Sequence, residues 1–187
     1  MKIIALNCNY NGLNPKQSGE VTVMADSSLA RSGKPWFLPE FGDAMLCSPH
    51  IVYRMGRLGK NIARRFAHRY IDAVTIGCTV QASGLKGALG NAFDGAAMLG
   101  EMVTVQQAGD LDQLVARLAC GEQMSECPAR QMTMPIDEII EWVSQYFTLK
   151  IGDLIFAGHP EQQLSLAIGD HLKGTINNLE VFDIKIK

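Results

Sequence analysis

Thr148-Leu149-Lys150-Ile151-Gly152-Asp153-Leu154-Ile155-Phe156-Ala157-Gly158-His159-Pro160, followed by Ile168-Gly169-Asp170-His171-Leu172, decides the fold of this chain. Short apolar runs alternate with Gly-Asp pairs, and glycine permits backbone angles that other residues resist. Residues 148–187 therefore predict short strands separated by tight turns, which points to a β-rich domain with a few helices.

Working back from this stretch, Pro135 to Phe147 is the clearest helix. Pro stands at its start, Asp137 and Glu138 occupy its first turn, and Ile139, Ile140 and Val143 share one face. Leu111 to Ala119 has an amphipathic pattern of unassigned class, and residues 83–100, rich in Gly and Ala, predict loop. Ala73 to Val80 predicts a strand interrupted by Gly77. Ile62 to Ile71 has a helical apolar period with a basic opposite face. Residues 50–58 alternate as a strand that Gly59-Lys60-Asn61 ends. Pro35 to Phe41 is extended, Val21 to Met24 is a short strand, and residues 2–8 form an opening strand before turn-rich Asn9 to Pro15.

A chain of 187 residues suffices for one domain, 1–187, that buries most of its apolar surface. Hydrophobic content of 47% and charged content of 19% are those of a globular protein. A net charge of −2 gives no bulk attraction to nucleic acid or an anionic membrane. Five cysteines without a CxxC spacing predict buried thiols in a reducing compartment. No apolar run approaches the roughly 20 residues needed to span a bilayer. The expected location is the cytoplasm.

Several stretches in this order resemble the fumarylacetoacetate hydrolase family. They are Asn9-Tyr10 after the opening strand, Ser28-Leu29, Pro35-Trp36-Phe37-Leu38-Pro39, Arg57-Leu58-Gly59-Lys60-Asn61-Ile62-Ala63 and Ala73-Val74-Thr75-Ile76-Gly77. Phe93-Asp94-Gly95 with Gly100-Glu101 and the C-terminal Gly-Asp block complete the set. The resemblance implies a mixed α+β fold, predominantly β, in which a β-roll carries short flanking helices, and it implies a homodimer. It also implies hydrolysis, decarboxylation or isomerisation of small 2-oxo acids, with Mg²⁺ or Mn²⁺ held by three carboxylates. Hard cations take oxygen ligands, and such an ion polarises the substrate's carbonyl as charge develops.

The family's carboxylate positions are where this chain departs. Two of them form a Glu-x-Glu pair, whose spacing puts both side chains on one sheet face. Running back without gaps from Lys60-Asn61-Ile62 places that pair at Ser48 and His50, and residues 44–58 contain no acidic residue. The third carboxylate falls at Thr79, or at Cys78 with one residue of slip. The family's acid–base pair falls at Leu13 and Lys16, and its pocket lysine at Asn91. Its Gly-Thr-Pro reads Gly158-His159-Pro160, followed by Glu161-Gln162-Gln163, and the segment from Ala82 to Phe93 is several residues short.

No Mg²⁺ or Mn²⁺ site is expected from Ser48, His50 and Thr79, because uncharged groups do not offset a hard cation's hydration. The substrate-pocket candidates are Asn91, Phe93, Asp94, His159 and Pro160. His50, His159 and Lys86 are the catalytic candidates of an altered enzyme, since histidine titrates near neutral pH. Cys47 with Cys78 suggests zinc, but strand alternation turns Cys47 away from Ser48 and His50, and Cys78 away from Thr79. A Cys78–His50 nucleophile pair has no orienting third group. The cluster Arg54, Arg57, Lys60, Arg64, Arg65, His68 and Arg69 lacks interleaved aromatic residues and predicts a solvated face. Met98, Met102, Met124, Met132 and Met134 are either core or pocket lining.

Two functions follow. One is a binding, regulatory or structural protein without the metal chemistry, acting as a homodimer or paired with an active homologue. The other is a hydrolase, isomerase or decarboxylase acting on a small oxo acid with an altered or absent metal site.

Overall fold

The computed structural model describes residues 1–187. In chain order its regular elements are β1 (Lys2–Leu6), α1 (Pro15–Ser18), β2 (Val21–Ala25), β3 (Leu29–Arg31), β4 (Met45–Met55), β5 (Ile71–Ala82), α2 (Ala88–Asn91), β6 (Ala97–Leu99), β7 (Val103–Thr104) and α3 (Val105–Ala108). They continue with β8 (Val115–Cys120), β9 (Gln123–Pro128), α4 (Ile136–Tyr146), β10 (Leu154–Phe156), β11 (Leu164–Leu166), β12 (His171–Ile176) and β13 (Leu179–Lys185). Strands dominate, as the resemblance implied.

The larger sheet has nine strands, in the order β2-β1-β10-β4-β5-β6-β3, with β11 added to β4 and β7 to β5. β1 runs parallel to β10 and β3 parallel to β6, while the other pairs are antiparallel. The smaller sheet, β13-β12-β8-β9, is antiparallel throughout. Its strands bury alternate residues, among them Ala116, Leu118, Leu172 and Ile176, and this face packs across β4 and β5. The opposite face of the large sheet carries an apolar cluster of its own side chains, Ile3, Ala5, Met24, Val52, Leu154 and Phe156, with Leu29, Ala92, Phe93 and Met102 packed against it. β4 and β5 therefore bury residues on both faces, which corrects the alternating strand expected at 50–58: β4 runs from Met45 to Met55 with nearly every residue buried and ends before Gly59.

Three local expectations are corrected. Ile62 to Ile71 is not an α-helix. It forms a 3₁₀ stretch at Arg64–Tyr70 in which Ala67 is the one buried residue. Arg64 and Arg65 at its N-terminus oppose the helix dipole, and no side chain caps it. Gly77 does not interrupt β5, which runs straight through it. The predicted loop 83–100 contains α2 and β6. The undecided segment from Leu111 resolves into a 3₁₀ turn at Leu111–Gln113 and then β8.

α4 forms where its sequence predicts it, burying Ile136, Ile139, Ile140 and Val143. Ser144 lies on the same face. Its Oγ accepts the Ile62 N–H at 2.9 Å and donates to the Glu141 carbonyl at 3.1 Å, which docks the helix on the Gly59–Ile62 turn. The basic cluster forms a solvated face. Arg54 pairs with Asp72, Arg64 with Asp137 and Glu138, and Arg65 and Arg69 flank the Phe66 ring.

Candidate functional site

The register of the central strands decides which residues meet. Ser48 lies opposite Thr79 and His50 opposite Gly77. Residues two apart share a face, so Ser48, His50 and Thr79 form one cluster. His50 is fully buried, and its Nε2 meets Thr79 Oγ1 at 2.9 Å. Ser48 Oγ accepts from Gln163 Nε2 at 2.9 Å. Cys47 and Cys78 lie on the opposite face, buried in the core and in contact with each other, as strand alternation predicts.

Ser48 and Thr79 open into a cavity of about 380 Å³. His159 also lines it, its ring edge-on to His50 with 5.2 Å between centroids. β1 and β2 contribute Ala5, Thr22 and Met24, with Asn7 and Cys8 beyond the end of β1. Gln81 of β5, Asn91 of α2 and Gln163 complete the polar lining, and exposed Glu20 is its one carboxylate. A cleft of about 360 Å³ on the smaller sheet, lined by Arg117, Lys173, Glu180 and Asp183, contains none of these residues.

Two devices set the position of His159. Cys8 and His159 form a parallel β-bridge that extends the β1–β10 pair. Gly158 beside it adopts φ +95°, and a Cβ there would strike the Asn9 side chain. Asn9 is fully buried. Its Nδ2 donates to the carbonyls of Met134 and Ala157, and its Oδ1 accepts from Met134 N, each at 2.8 Å. One amide thus ties the end of β1 to the end of β10 and to the segment before α4.

Both histidines are held neutral at pH 7. Burial pushes the His50 pKa well below the usual 6.5, and nearby His159 pushes it further. His50 Nδ1 has no well-formed partner, the Gly158 backbone being close enough only to pull the pKa slightly back up. Burial likewise lowers His159, whose Nδ1 donates to the Pro160 carbonyl at 2.6 Å. A carbonyl can only accept, so the neutral ring leaves Nε2 as its free base.

Because folding lowers the His50 pKa, its contribution to stability is present above the unfolded value of 6.5 and is lost as pH falls below it. From about pH 7.5 to about pH 5.5, wild type should lose about 1.4 kcal/mol more stability than His50→Gln, which can still hydrogen-bond but does not titrate. Urea unfolding at the two pH values checks this. Equal losses would show that His50 does not titrate in this way.

The sequence-predicted site residues divide. Ser48, Thr79, Asn91 and His159 line the cavity, and His50 stands directly behind Thr79. Lys86 does not join them, because it is exposed on the turn before α2 and outside the lining. Phe93 packs edge-on against Phe41, Asp94 is exposed, and Pro160 contributes only its carbonyl to His159. Leu13 and Lys16 lie away from the cavity, with Lys16 bound to Glu138 at 2.7 Å. Met24 lines it, whereas Met98 and Met134 are buried core. Cys8 corrects the expectation of five buried thiols, being partly exposed inside the cavity. Nothing local in the sequence marks Cys8, Glu20 or Thr22 as site residues, since they reach the cavity only because β2, β1 and β10 are neighbours in the sheet.

The donor set does not fit the family's divalent ion. Two neutral hydroxyls and a neutral imidazole are already hydrogen-bonded to one another or to Gln163. No group of three or more His, Cys, Asp or Glu side chains is placed to hold a metal. No helix is long and apolar enough to cross a membrane.

Comparison with known proteins fixes the ancestry. An uncharacterized protein of Pyrococcus horikoshii is 26% identical over 194 residues, covering 95% of this chain and 84% of its own. A mitochondrial oxaloacetate tautomerase of Bos taurus is 30% identical over 150 residues, 71% of this chain but only 47% of that protein's length. Fumarylpyruvate hydrolase from Pseudomonas aeruginosa, solved in complex with Mn²⁺ and pyruvate, superposes with a TM-score of 0.87 at 18% identity, over 100% of this chain and 89% of its own. Maleylpyruvate hydrolase from Sphingobium sp. SYK-6 gives a TM-score of 0.86 at 20% identity, over 100% of this chain and 71% of its own. The profile described as fumarylacetoacetate (FAA) hydrolase C-terminal matches residues 6–186, and the chain belongs to the fumarylacetoacetate hydrolase family.

Proposed function

We propose that this protein uses the family scaffold as a metal-independent binding site for a small polar molecule and acts through binding rather than through metal-dependent cleavage of oxo acids. One observation carries the reading. Where the resemblance puts a carboxylate cage, Ser48, His50 and Thr79 form a neutral cluster closed by hydrogen bonds to one another and to Gln163. A hard cation gives up hydration only against charged or strongly coordinating oxygens, and this cluster supplies none. A homodimer, or pairing with an active homologue, is part of the same proposal, because a dimeric fold lets an inactive subunit support an active one.

Thermal unfolding with Mg²⁺ or Mn²⁺, each with and without oxalate, tests the reading. The expected result is an unchanged midpoint. A ligand at about 100 times its Kd stabilises the folded state by about 2.7 kcal/mol, which moves the midpoint by several degrees. A metal-dependent shift enlarged by oxalate would restore the family's chemistry and overturn the proposal.

A second reading has its own observation: His159 lines the cavity, and its Nε2 is left free by the Nδ1 bond to Pro160. Held neutral and close to bound ligand, it is placed to act as a general base in a metal-free isomerisation. Turnover of an oxo acid that persists in chelator and disappears in His159→Ala would establish it.

A further inference from the structure

The charge of the cavity bears on what enters it, and the inference rests on the metal-free reading above. No lysine or arginine lines the cavity. Lys86 is exposed outside the lining, and Lys16 is committed to Glu138. His159 is neutral. The one charged lining residue is Glu20, and Glu161 adds to it: both carboxylates act on Cys8 Sγ, raising its pKa beyond what burial does. The remaining polar lining is uncharged, with the amides Asn7, Gln81, Asn91 and Gln163 beside Ser48 and Thr79.

An oxo-acid anion entering here would lose hydration without meeting a counter-charge, which is the expensive case. A cation would meet Glu20 in the lining, with the field of exposed Glu161 adding to it and amides and hydroxyls beyond to accept its remaining donors. We propose that the cavity takes a small hydrogen-bonding organic cation, a primary amine or amidine, with its charged end at Glu20 and its polar body against Asn7, Asn91 and Gln163.

Cys8 provides the test, because it lines the cavity while Cys47, Cys78, Cys120 and Cys127 are buried. The full-length protein is labelled with a cationic trimethylammonium-ethyl methanethiosulfonate and, separately, with its anionic sulfonatoethyl analogue. Peptide mass mapping follows the rate at Cys8. The ratio of two reagents on one thiol cancels its thiolate fraction, so it reports local charge. A unit charge a few ångströms away changes the local concentration of a singly charged reagent about fivefold even at the dielectric of water. The cation-to-anion ratio at Cys8 should exceed that of 2-mercaptoethanol by about tenfold or more, and should fall toward it in Glu20→Gln/Glu161→Gln. Both positions are exposed, so the double variant should fold. A ratio at or below that of 2-mercaptoethanol overturns the proposal.

A second arm uses neutral iodoacetamide. Putrescine or ethanolamine should slow labelling of Cys8, whereas pyruvate and oxalate should not. Protection by neither amine overturns the assignment. Protection by pyruvate or oxalate in chelator overturns this inference but leaves the metal-free site standing. Protection by oxalate only with Mg²⁺ or Mn²⁺ overturns the metal-free reading itself.

Discussion

Asn9→Ala should lose about 3–5 kcal/mol of stability, measured as the free energy of urea unfolding against wild type. The Asn9 side chain makes three hydrogen bonds, all buried, to Met134 N, Met134 O and Ala157 O. Alanine removes the partner and leaves those backbone groups without water to replace it. Each buried group left unsatisfied costs about 1–3 kcal/mol, and the small cavity adds to the loss. The damage should also reach the site, because Asn9 follows Cys8 and its partner Ala157 precedes the Gly158–His159 turn. Labelling of Cys8 by neutral iodoacetamide should accelerate in the variant under native conditions. A loss below about 1 kcal/mol would mean that water or backbone movement satisfies these groups, and that the ends of β1 and β10 are joined by their bridge alone.

Gly77→Ala should cost about 3 kcal/mol or more, again by urea unfolding. A Cβ at this position would lie 2.7 Å from the Met98 carbonyl oxygen, 2.7 Å from Val52 Cγ2 and 2.8 Å from Phe156 Cε1. These neighbours belong to β6, β4 and β10, so no single side chain can swing aside to make room. Overpacking a filled core costs about 1–3 kcal/mol and more where backbone must move. His50 stands across the ladder from Gly77, so the accommodation should displace its ring. The signature is a changed imidazole resonance of His50 by NMR, together with the lost stability. A variant as stable as wild type would show that β5 can move away from β6 at little cost.

How much of this was legible in the sequence follows from the range of the forces involved. α4 was legible because proline, an acidic first turn and an apolar face at helical spacing are all local signals. The strands after residue 148 were legible because Gly-Asp pairs punctuate them. The 3₁₀ stretch at Arg64–Tyr70 was not legible: its apolar spacing fits a helix, and the missing cap and the opposing basic start outweigh that spacing. Gly77 looked like a break because a glycine weakens a strand in isolation. Between Met98, Val52 and Phe156 it is the one residue with room to stand.

The site divides along the same line. The sequence by itself determined the family and the absence of acidic residues at positions 48, 50 and 79, since both follow from residue type in order along the chain. It also determined that Ser48 and His50 share a face, because side chains alternate along a strand. Only the tertiary structure decided that Thr79 bonds His50, that Lys86 stays outside, and that Cys8, Glu20 and Thr22 face the same cavity as His159. Those residues are brought together by the pairing of β2, β1 and β10. The β1–β10 pairing joins segments about 150 residues apart, and it is fixed by the burial of these central strands rather than by any local preference of the chain.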